Sequence, residues 1–217
     1  MKTVARVMGG VLLAGAVLAS PAQAQTSYST QGYFSSSLGT CNTIPAFSAL
    51  LVGPSGATCT FGGYTITYVP TTQFLIGDGG TTSLGNFLLS GTATNAAPPA
   101  GTMFMLAIKQ SAPTVGTGTT IGSISGTVTT APPNGVNTST LIWTPTQFVN
   151  INATTYRLIF DDNGPAAGRG LAIPVVGSRG IDAIITNSTV PEPASMALLA
   201  TGLVGIFGVA RRRRKSQ

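Results

Sequence analysis

The sequence contains no histidine and very few charged side chains in its central part. Without imidazole, Ser-His-Asp and Cys-His catalytic arrangements and HExxH zinc sites are excluded. A glycosidase needs two carboxylates. Between residues 25 and 190 the only acidic side chains are Asp78, Asp161, Asp162 and Asp182. We therefore expect a non-enzymatic protein without a cofactor, and a hydrolase built on these aspartates is the alternative.

Little charge remains once the two ends are set aside. The formal net charge is +6, but between residues 25 and 190 four basic side chains balance four acidic ones. No stripe of Lys and Arg with interleaved aromatic residues remains, which is the pattern of a nucleic-acid-binding face. We therefore predict no nucleic-acid partner.

Residues 1–24 have the pattern of a secretory signal peptide. Lys2 and Arg6 precede an apolar stretch, and Ala22 and Ala24 frame a small-x-small cleavage site. Signal peptidase and the secretion machinery are the partners that this pattern predicts. No cysteine follows the cleavage site, which argues against a lipid-anchored protein.

The last segment, residues 190–217, has three parts. The motif consists of Val190, Pro191, Glu192 and Pro193. Residues 194–210 carry no charge, and a helix over them would reach roughly 25 Å, at the short end of what spans a bilayer. In the basic tail, residues 211–217, the membrane stop is Arg211, Arg212, Arg213 and Arg214. Cationic residues beside an apolar helix stay cytoplasmic, so a plain single-pass anchor of a periplasmic protein is one interpretation.

A Pro-Glu-Pro tripeptide, a short apolar helix and a terminal arginine cluster, in this order, resemble the PEP-CTERM sorting signal of exported Gram-negative proteins. The resemblance implies cleavage at or near the tripeptide by an exosortase, a membrane-embedded transpeptidase-like protease. It implies transient anchoring in the inner membrane, followed by delivery to the cell surface or extracellular matrix. A contribution to exopolysaccharide or biofilm architecture, with exopolysaccharide as a partner, is the role implied.

The central part, residues 25–189, is predicted to be one exported β domain. Short runs of β-branched and aromatic residues alternate with clusters of Gly, Pro, Asn and Asp, and no stretch has a sustained helical period. The predicted strands cover residues 64–69, 84–94, 102–110, 119–129, 139–144, 154–161, 171–176 and 180–186. Residues 25–40 are expected to form a loose lead-in or an edge strand. An antiparallel β-sandwich of jelly-roll or immunoglobulin-like type is the fold predicted.

The chain has two cysteines, Cys41 and Cys59. In an oxidising compartment a disulfide is expected between them, pinning a looped segment at both ends. Two free thiols are the alternative.

Two small groups of residues are candidate ligand sites. Asp161 and Asp162, followed by Asn and Gly, offer oxygen ligands to calcium, but the same residues are typical of a turn. Trp143 is a candidate for stacking on a sugar ring, and a buried core position is the alternative. A carbohydrate-binding, lectin-like module is therefore the second functional hypothesis.

Overall fold

The computed structural model of the protein describes residues 24–36, 40–41, 56–91, 96–130, 137–162, 168–175, 177–188 and 202. The signal peptide up to residue 23, the sorting motif, the helix over 194–210 and the basic tail lie outside this set, apart from residue 202. Among the described residues, no helix is long and apolar enough to cross a membrane. What the sequence predicts for the two ends therefore stays a prediction.

The described part of the chain forms fifteen strands. In chain order they are β1 (Thr26–Ser35), β2 (Thr40–Cys41), β3 (Ala57–Phe61), β4 (Tyr64–Val69), β5 (Thr72–Ile76), β6 (Thr81–Gly91), β7 (Met103–Ala112), β8 (Gly116–Ser125), β9 (Val128–Thr130), β10 (Asn137–Ser139), β11 (Ile142–Pro145), β12 (Phe148–Ile151), β13 (Thr154–Leu158), β14 (Leu171–Ala172) and β15 (Ser178–Asn187).

These strands make two large sheets and one short ribbon. The six-stranded sheet has the order β14-β11-β8-β7-β1-β5, and the seven-stranded sheet has the order β12-β13-β15-β6-β4-β3-β2, while β10 pairs with β9. All of these pairings are antiparallel. Buried side chains from both large sheets form one core cluster. The predicted all-β antiparallel sandwich is confirmed.

Several strands have the residue ranges and the buried side chains that the alternation in the sequence predicts. The run over residues 64–69 coincides with β4. In β7, Phe104 and Leu106 are fully buried in the core, whereas Met103 on the opposite face is 43% exposed. In β13, Tyr156 and Leu158 are buried and Arg157 between them is exposed. A period of two residues is the signature of a strand with one face in the core.

An aromatic cluster fills the centre of the sandwich. The ring of Phe104 lies 4.8 Å from that of Phe87, 4.8 Å from Phe34, 5.0 Å from Tyr68 and 5.2 Å from Trp143, measured between centroids. The rings of Phe87 and Trp143 meet the Phe104 ring edge to face, at 70° and 76°. This arrangement places the positive edge of one ring against the negative face of the next.

The expectation for the first segment of the domain was wrong. Instead of a loose lead-in or an edge, β1 lies between β7 and β5 and pairs with both. The hydroxyl of Thr30 accepts a hydrogen bond of 2.7 Å from the Tyr68 hydroxyl. Gly32 leaves room for the ring of Tyr68, because a Cβ there would lie 2.2 Å from Cδ1 of that ring. β1 can therefore be buried despite its polar and small residues, because Tyr68 forms a hydrogen bond with Thr30 and packs against Gly32.

Several strand boundaries also differ from those predicted. The run 119–129 is divided into β8 and β9 at Gly126, whose φ is +107° and whose added Cβ would lie 2.1 Å from the Thr140 carbonyl oxygen. The strands predicted over 139–144, 154–161 and 171–176 are shorter, and β2, β3, β5, β10 and β12 were not predicted as separate strands. All five have five residues or fewer, which is too short for a clear local period.

A disulfide joins β2 to β3. Cys41 and Cys59 are direct cross-strand partners, and they are bonded to each other. The predicted disulfide is confirmed, whereas the expectation of a wholly looped segment was wrong because β3 occupies its end.

We expect that replacing both cysteines by alanine lowers the free energy of unfolding by about 3 kcal/mol. The crosslink closes a segment with a sequence separation of 18, and its loss frees the unfolded chain. Guanidinium denaturation of the oxidised protein, the reduced protein and the double variant would measure the difference. The reduced protein should lose a similar amount, and equal midpoints for all three would contradict the prediction.

Three tyrosines are buried with bonded hydroxyls. The hydroxyl of Tyr28 donates to the Ser83 carbonyl oxygen at 2.7 Å, and that of Tyr68 donates to the Leu84 carbonyl oxygen at 2.7 Å. The rings of Tyr28 and Tyr156 pack edge to face, 5.6 Å apart. Burial raises the pKa of all three hydroxyls well above the ordinary tyrosine value.

This burial predicts a specific alkaline limit to stability. Because the folded pKa exceeds the unfolded one, the stabilisation is complete below a pH of about 10 and is lost as the pH rises further. The sequence has no histidine, so no side chain with an ordinary pKa between about 5 and 8 adds a dependence there. Denaturation midpoints and tyrosinate absorbance over a pH series would test this. If Tyr28, Tyr68 and Tyr156 ionised like free tyrosine in a protein that stays folded, the prediction would fail.

Candidate functional site

The last strand of the domain leads directly towards the predicted sorting motif. β15 lies between β13 and β6 in the seven-stranded sheet, and its Ile181, Ala183 and Ile185 are fully buried. It ends at Asn187, and only two residues separate this position from Val190. The alternation of apolar and polar residues, carried by a β-branched stretch, is what forms this strand. The motif is thus attached to a strand paired on both sides.

Asn187 connects this last strand to the first one. Its side chain is 7% exposed. The Nδ2 group donates to the Thr26 hydroxyl at 3.2 Å and to the Ala24 carbonyl oxygen at 3.2 Å, and Oδ1 accepts from the Thr154 hydroxyl at 2.8 Å. Since Thr26 belongs to the six-stranded sheet and Thr154 to the seven-stranded one, a single amide joins both sheets.

The same set of bonds continues further into the sandwich. Gln110 on β7 donates from Nε2 to the Thr154 hydroxyl oxygen at 3.2 Å, and its Oε1 accepts from the Tyr156 hydroxyl at 2.9 Å. Gln110, Thr154 and Tyr156 are all fully buried. We call the five linked side chains the Asn187 network: Thr26, Gln110, Thr154, Tyr156 and Asn187. Burying polar groups in this way is tolerable because each finds a partner.

A short turn caps the end of β15 from the side. The carboxylate of Asp78 accepts a 2.6 Å hydrogen bond from the backbone N–H of Asn187. The backbone N–H of Gly79 donates to the Ile185 carbonyl oxygen at 2.8 Å, and the N–H of Ile185 donates to the Gly80 carbonyl oxygen at 3.1 Å. The turn therefore holds the backbone of β15 up to its final residue.

The candidate calcium ligands have different surroundings. Asp161 forms an ion pair with Arg179 on β15, and its Oδ2 accepts from the backbone N–H of Ala172 at 2.6 Å. One oxygen of this carboxylate thus contacts β15 and the other contacts β14. Asp162 is exposed, and the Asn and Gly that follow lie outside the described residues. Within the described part of the chain, no group of three His, Cys, Asp or Glu side chains could hold a metal ion. The expectation of no cofactor, with calcium at Asp161 and Asp162 as the alternative, stays a prediction.

Trp143 occupies the core instead of a surface. Its side chain is 0% exposed, and its indole Nε1–H donates to the Phe104 carbonyl oxygen at 3.2 Å. A sugar in solvent does not reach this ring. The alternative interpretation, a buried core aromatic, agrees with its position.

One shallow depression lies on the outer face of the six-stranded sheet. Its volume is about 160 Å³. Ligand pockets for small molecules usually occupy about 300 Å³ or more. The residues that line it are Tyr28, Ser29, Thr72, Phe74, Lys109 and Ser111. It contains hydroxyls and one ammonium group but no carboxylate, so it does not supply the paired acids of a hydrolase.

Comparison with known proteins identifies the segment that follows β15. The family model of the PEP-CTERM protein-sorting motif matches residues 189–214. The chain thus carries a PEP-CTERM protein-sorting motif in its C-terminal segment. The match begins two residues after Asn187 and includes the predicted tripeptide, the apolar stretch and all four arginines. No curated protein and no solved structure matches the chain.

The PEP-CTERM motif implies an exported protein that is sorted by an exosortase and is held in the membrane in transit, before cleavage. The resemblance found in the sequence is therefore confirmed. The structure adds the attachment point, because the matched segment starts where the Asn187 network and the Asp78 turn fix the end of β15.

We expect Asn187→Ala to lower the free energy of unfolding by about 1–3 kcal/mol, because it leaves the buried Thr154 and Thr26 hydroxyls short of a partner. Asn150→Ala is a matched control, since Asn150 is exposed and accepts one bond from Thr155, and it should change stability by less than about 0.5 kcal/mol. Chemical denaturation of both variants would measure the difference. Equal losses would show that the Asn187 network is not a main source of stability.

Proposed function

We propose that this protein is a secreted, non-enzymatic β-sandwich that an exosortase cleaves at or near its Pro-Glu-Pro tripeptide. It then becomes part of the cell surface or the extracellular matrix, where it contributes to exopolysaccharide architecture. The observation that carries this proposal is the sorting motif over residues 189–214, which follows directly on a strand at the centre of a sheet.

The way in which the domain uses its few reactive side chains supports a structural role. The carboxylates of Asp78 and Asp161 each accept a hydrogen bond from a backbone N–H. Trp143 is in the core. The sequence has no histidine to act as a general base. The groups with which a hydrolase or a lectin-like site would most simply be built thus have other roles in this fold.

The backbone around the motif favours access by a protease. Pro191 and Pro193 each fix their own φ and push the preceding residue towards an extended conformation. Extended backbone with unpaired amides is the form in which proteases bind substrates, by adding a strand to their own. β15 is paired with β13 up to Asn187 and with β6 up to Ile184. The tripeptide begins four residues beyond Asn187.

The test is the intact mass of the full-length protein recovered from cells that contain an exosortase, and from their medium. We expect a product that ends near the tripeptide in the surface or matrix fraction. Glu192→Ala should block its formation, because Glu192 is the only charged residue of the tripeptide. Ser188→Ala, just before the motif, is the control and should be processed normally.

A different outcome would support a plain single-pass anchor. If the protein carried its full C-terminus and occurred only in the membrane fraction, with or without Glu192→Ala, exosortase processing would be ruled out. A carbohydrate-binding role would require saturable retention of the processed protein on a polysaccharide, at a surface other than Trp143.

A further inference from the structure

Three large apolar side chains are strongly exposed on this domain. Phe74 is 70% exposed, Leu75 is 64% exposed and Val115 is 78% exposed. The other exposed large hydrophobic residues in the described part of the chain range from 38% to 52%. We call these three residues the apolar rim. Single exposed apolar residues are common on protein surfaces, so what matters is where these three lie.

Two members of the rim are turned outwards by an irregularity in β5. Between Gln73 and Ile76 this edge strand has one residue more than the facing part of β1, which makes a β-bulge. Leu75 has a φ of +57°, a left-handed conformation that bulky residues rarely adopt. Its N–H is held by the Ser27 hydroxyl at 3.2 Å. Phe74 and Leu75 consequently face solvent although their sequence is that of a buried strand.

Phe74 and Leu75 lie near the point where the sorting segment leaves the domain. They directly precede Ile76, which pairs with Thr26 on β1. The Thr26 hydroxyl accepts from the Asn187 side chain, and Asp78 caps the Asn187 backbone. Phe74 and Leu75 are therefore one or two residues from Ile76, whose cross-strand partner Thr26 contacts Asn187.

Val115 also lies near the end of the domain at which β15 ends. The side chain of Asn152 donates to the Val115 carbonyl oxygen at 3.3 Å. Asn152 lies in the turn that leads from β12 into β13, two residues before Thr154. Since Thr154 pairs with Asn187 in the sheet, the turn that carries Val115 also borders the exit point. The apolar rim thus flanks the last residue of β15.

The length of the chain beyond β15 keeps this end close to the bilayer before cleavage. Residues 188–193 separate Asn187 from the apolar stretch, and when fully extended they reach about 21 Å. The ten-residue strand β7 spans roughly 33 Å, so the far end of the sandwich lies about one strand length further away. With its tail in the membrane, the domain has its rim end closer to the lipid surface than its opposite end.

We propose that the apolar rim rests in the outer interface of the membrane while the tail is uncleaved, and that its occupant is the lipid surface. This rests on the proposed function, because it requires the tail to be embedded in the bilayer. Tethering makes the contact intramolecular, so a few apolar side chains suffice to hold it. The prolines of the motif are thereby kept at the depth of the interface.

Two properties follow from the chemistry of this end. The central part of the chain carries balanced charges, so the contact depends on apolar burial and is insensitive to salt, unlike attraction of a basic patch to anionic lipid. Three side chains without a tether bind a bilayer only weakly and reversibly. Cleavage therefore releases the domain from the surface on which it rested.

The test uses the full-length chain carrying Phe74→Trp, reconstituted in vesicles of phosphatidylcholine and phosphatidylglycerol with or without brominated acyl chains. The natural Trp143 is fully buried and gives a constant background. Met103→Trp is the matched control, because Met103 is 43% exposed at the start of β7, and the rim end corresponds to the end of that strand. Val115→Trp is a second reporter. Flotation of the vesicles reports whether the tail is embedded.

In floating vesicles, we expect the emission of the Phe74→Trp and Val115→Trp variants to shift to the blue and to be quenched by brominated lipid at low and high salt. The emission of the Met103→Trp variant should show no blue shift in the vesicles and no more quenching by brominated lipid than that of the unsubstituted protein. Floating chains in which the rim reporters are quenched no more than the Met103 reporter would overturn the proposal while leaving membrane anchoring intact. A chain that does not float would overturn both. If quenching were absent but Phe74→Ser lowered exosortase processing in cells, the rim would contact a protein, and the lipid proposal would be wrong.

Discussion

The hydrogen bonds of one buried amide, that of Asn187, determine how the two sheets meet at the end of the domain from which the sorting segment departs. This side chain joins the first strand of the domain to the last and, through Thr154 and Gln110, connects the two sheets. Buried polar groups are costly when unpaired, so a shift of either strand by one residue would break several bonds together. The aromatic cluster around Phe104 supplies apolar burial, which is less directional. The Asn187 network, by contrast, specifies the register in which β1 and β15 meet.

The same end of the domain combines three features that are unrelated in sequence. It holds the start of the predicted mature chain beside the strand β15, because Asn187 contacts Thr26. It carries the segment that the PEP-CTERM family matches. It also exposes the bulge of β5 and the turn with Val115. In a domain that is attached to a membrane at one end, features that serve the attachment are expected at that end.

Local periodicity predicted the strands whose side chains alternate cleanly, such as β4 and β13, and residue order alone predicted the sorting signal. Two cysteines in an exported chain predicted the disulfide. The sequence did not predict that β1 is internal, because Thr30 is a good core residue only where the hydroxyl of Tyr68 meets it. Asn187 gave no signal, since its partners are up to 163 positions away. The outward bulge at Leu75 depends on a tertiary bond to Ser27, which no local pattern encodes.

The place of β15 in the sheet also sets an order of events in time. It is the last strand in the described part of the chain, yet it lies between β13 and β6, and without it the seven-stranded sheet would be divided into β12-β13 and β6-β4-β3-β2. In a polypeptide that crosses a membrane N-terminus first, β15 cannot join these two parts of the sheet until residue 187 has emerged. The tripeptide follows immediately behind. The seven-stranded sheet is therefore completed at nearly the same time as the sorting motif reaches the outer face of the membrane. The protease encounters a domain whose last strand has only just become available for pairing.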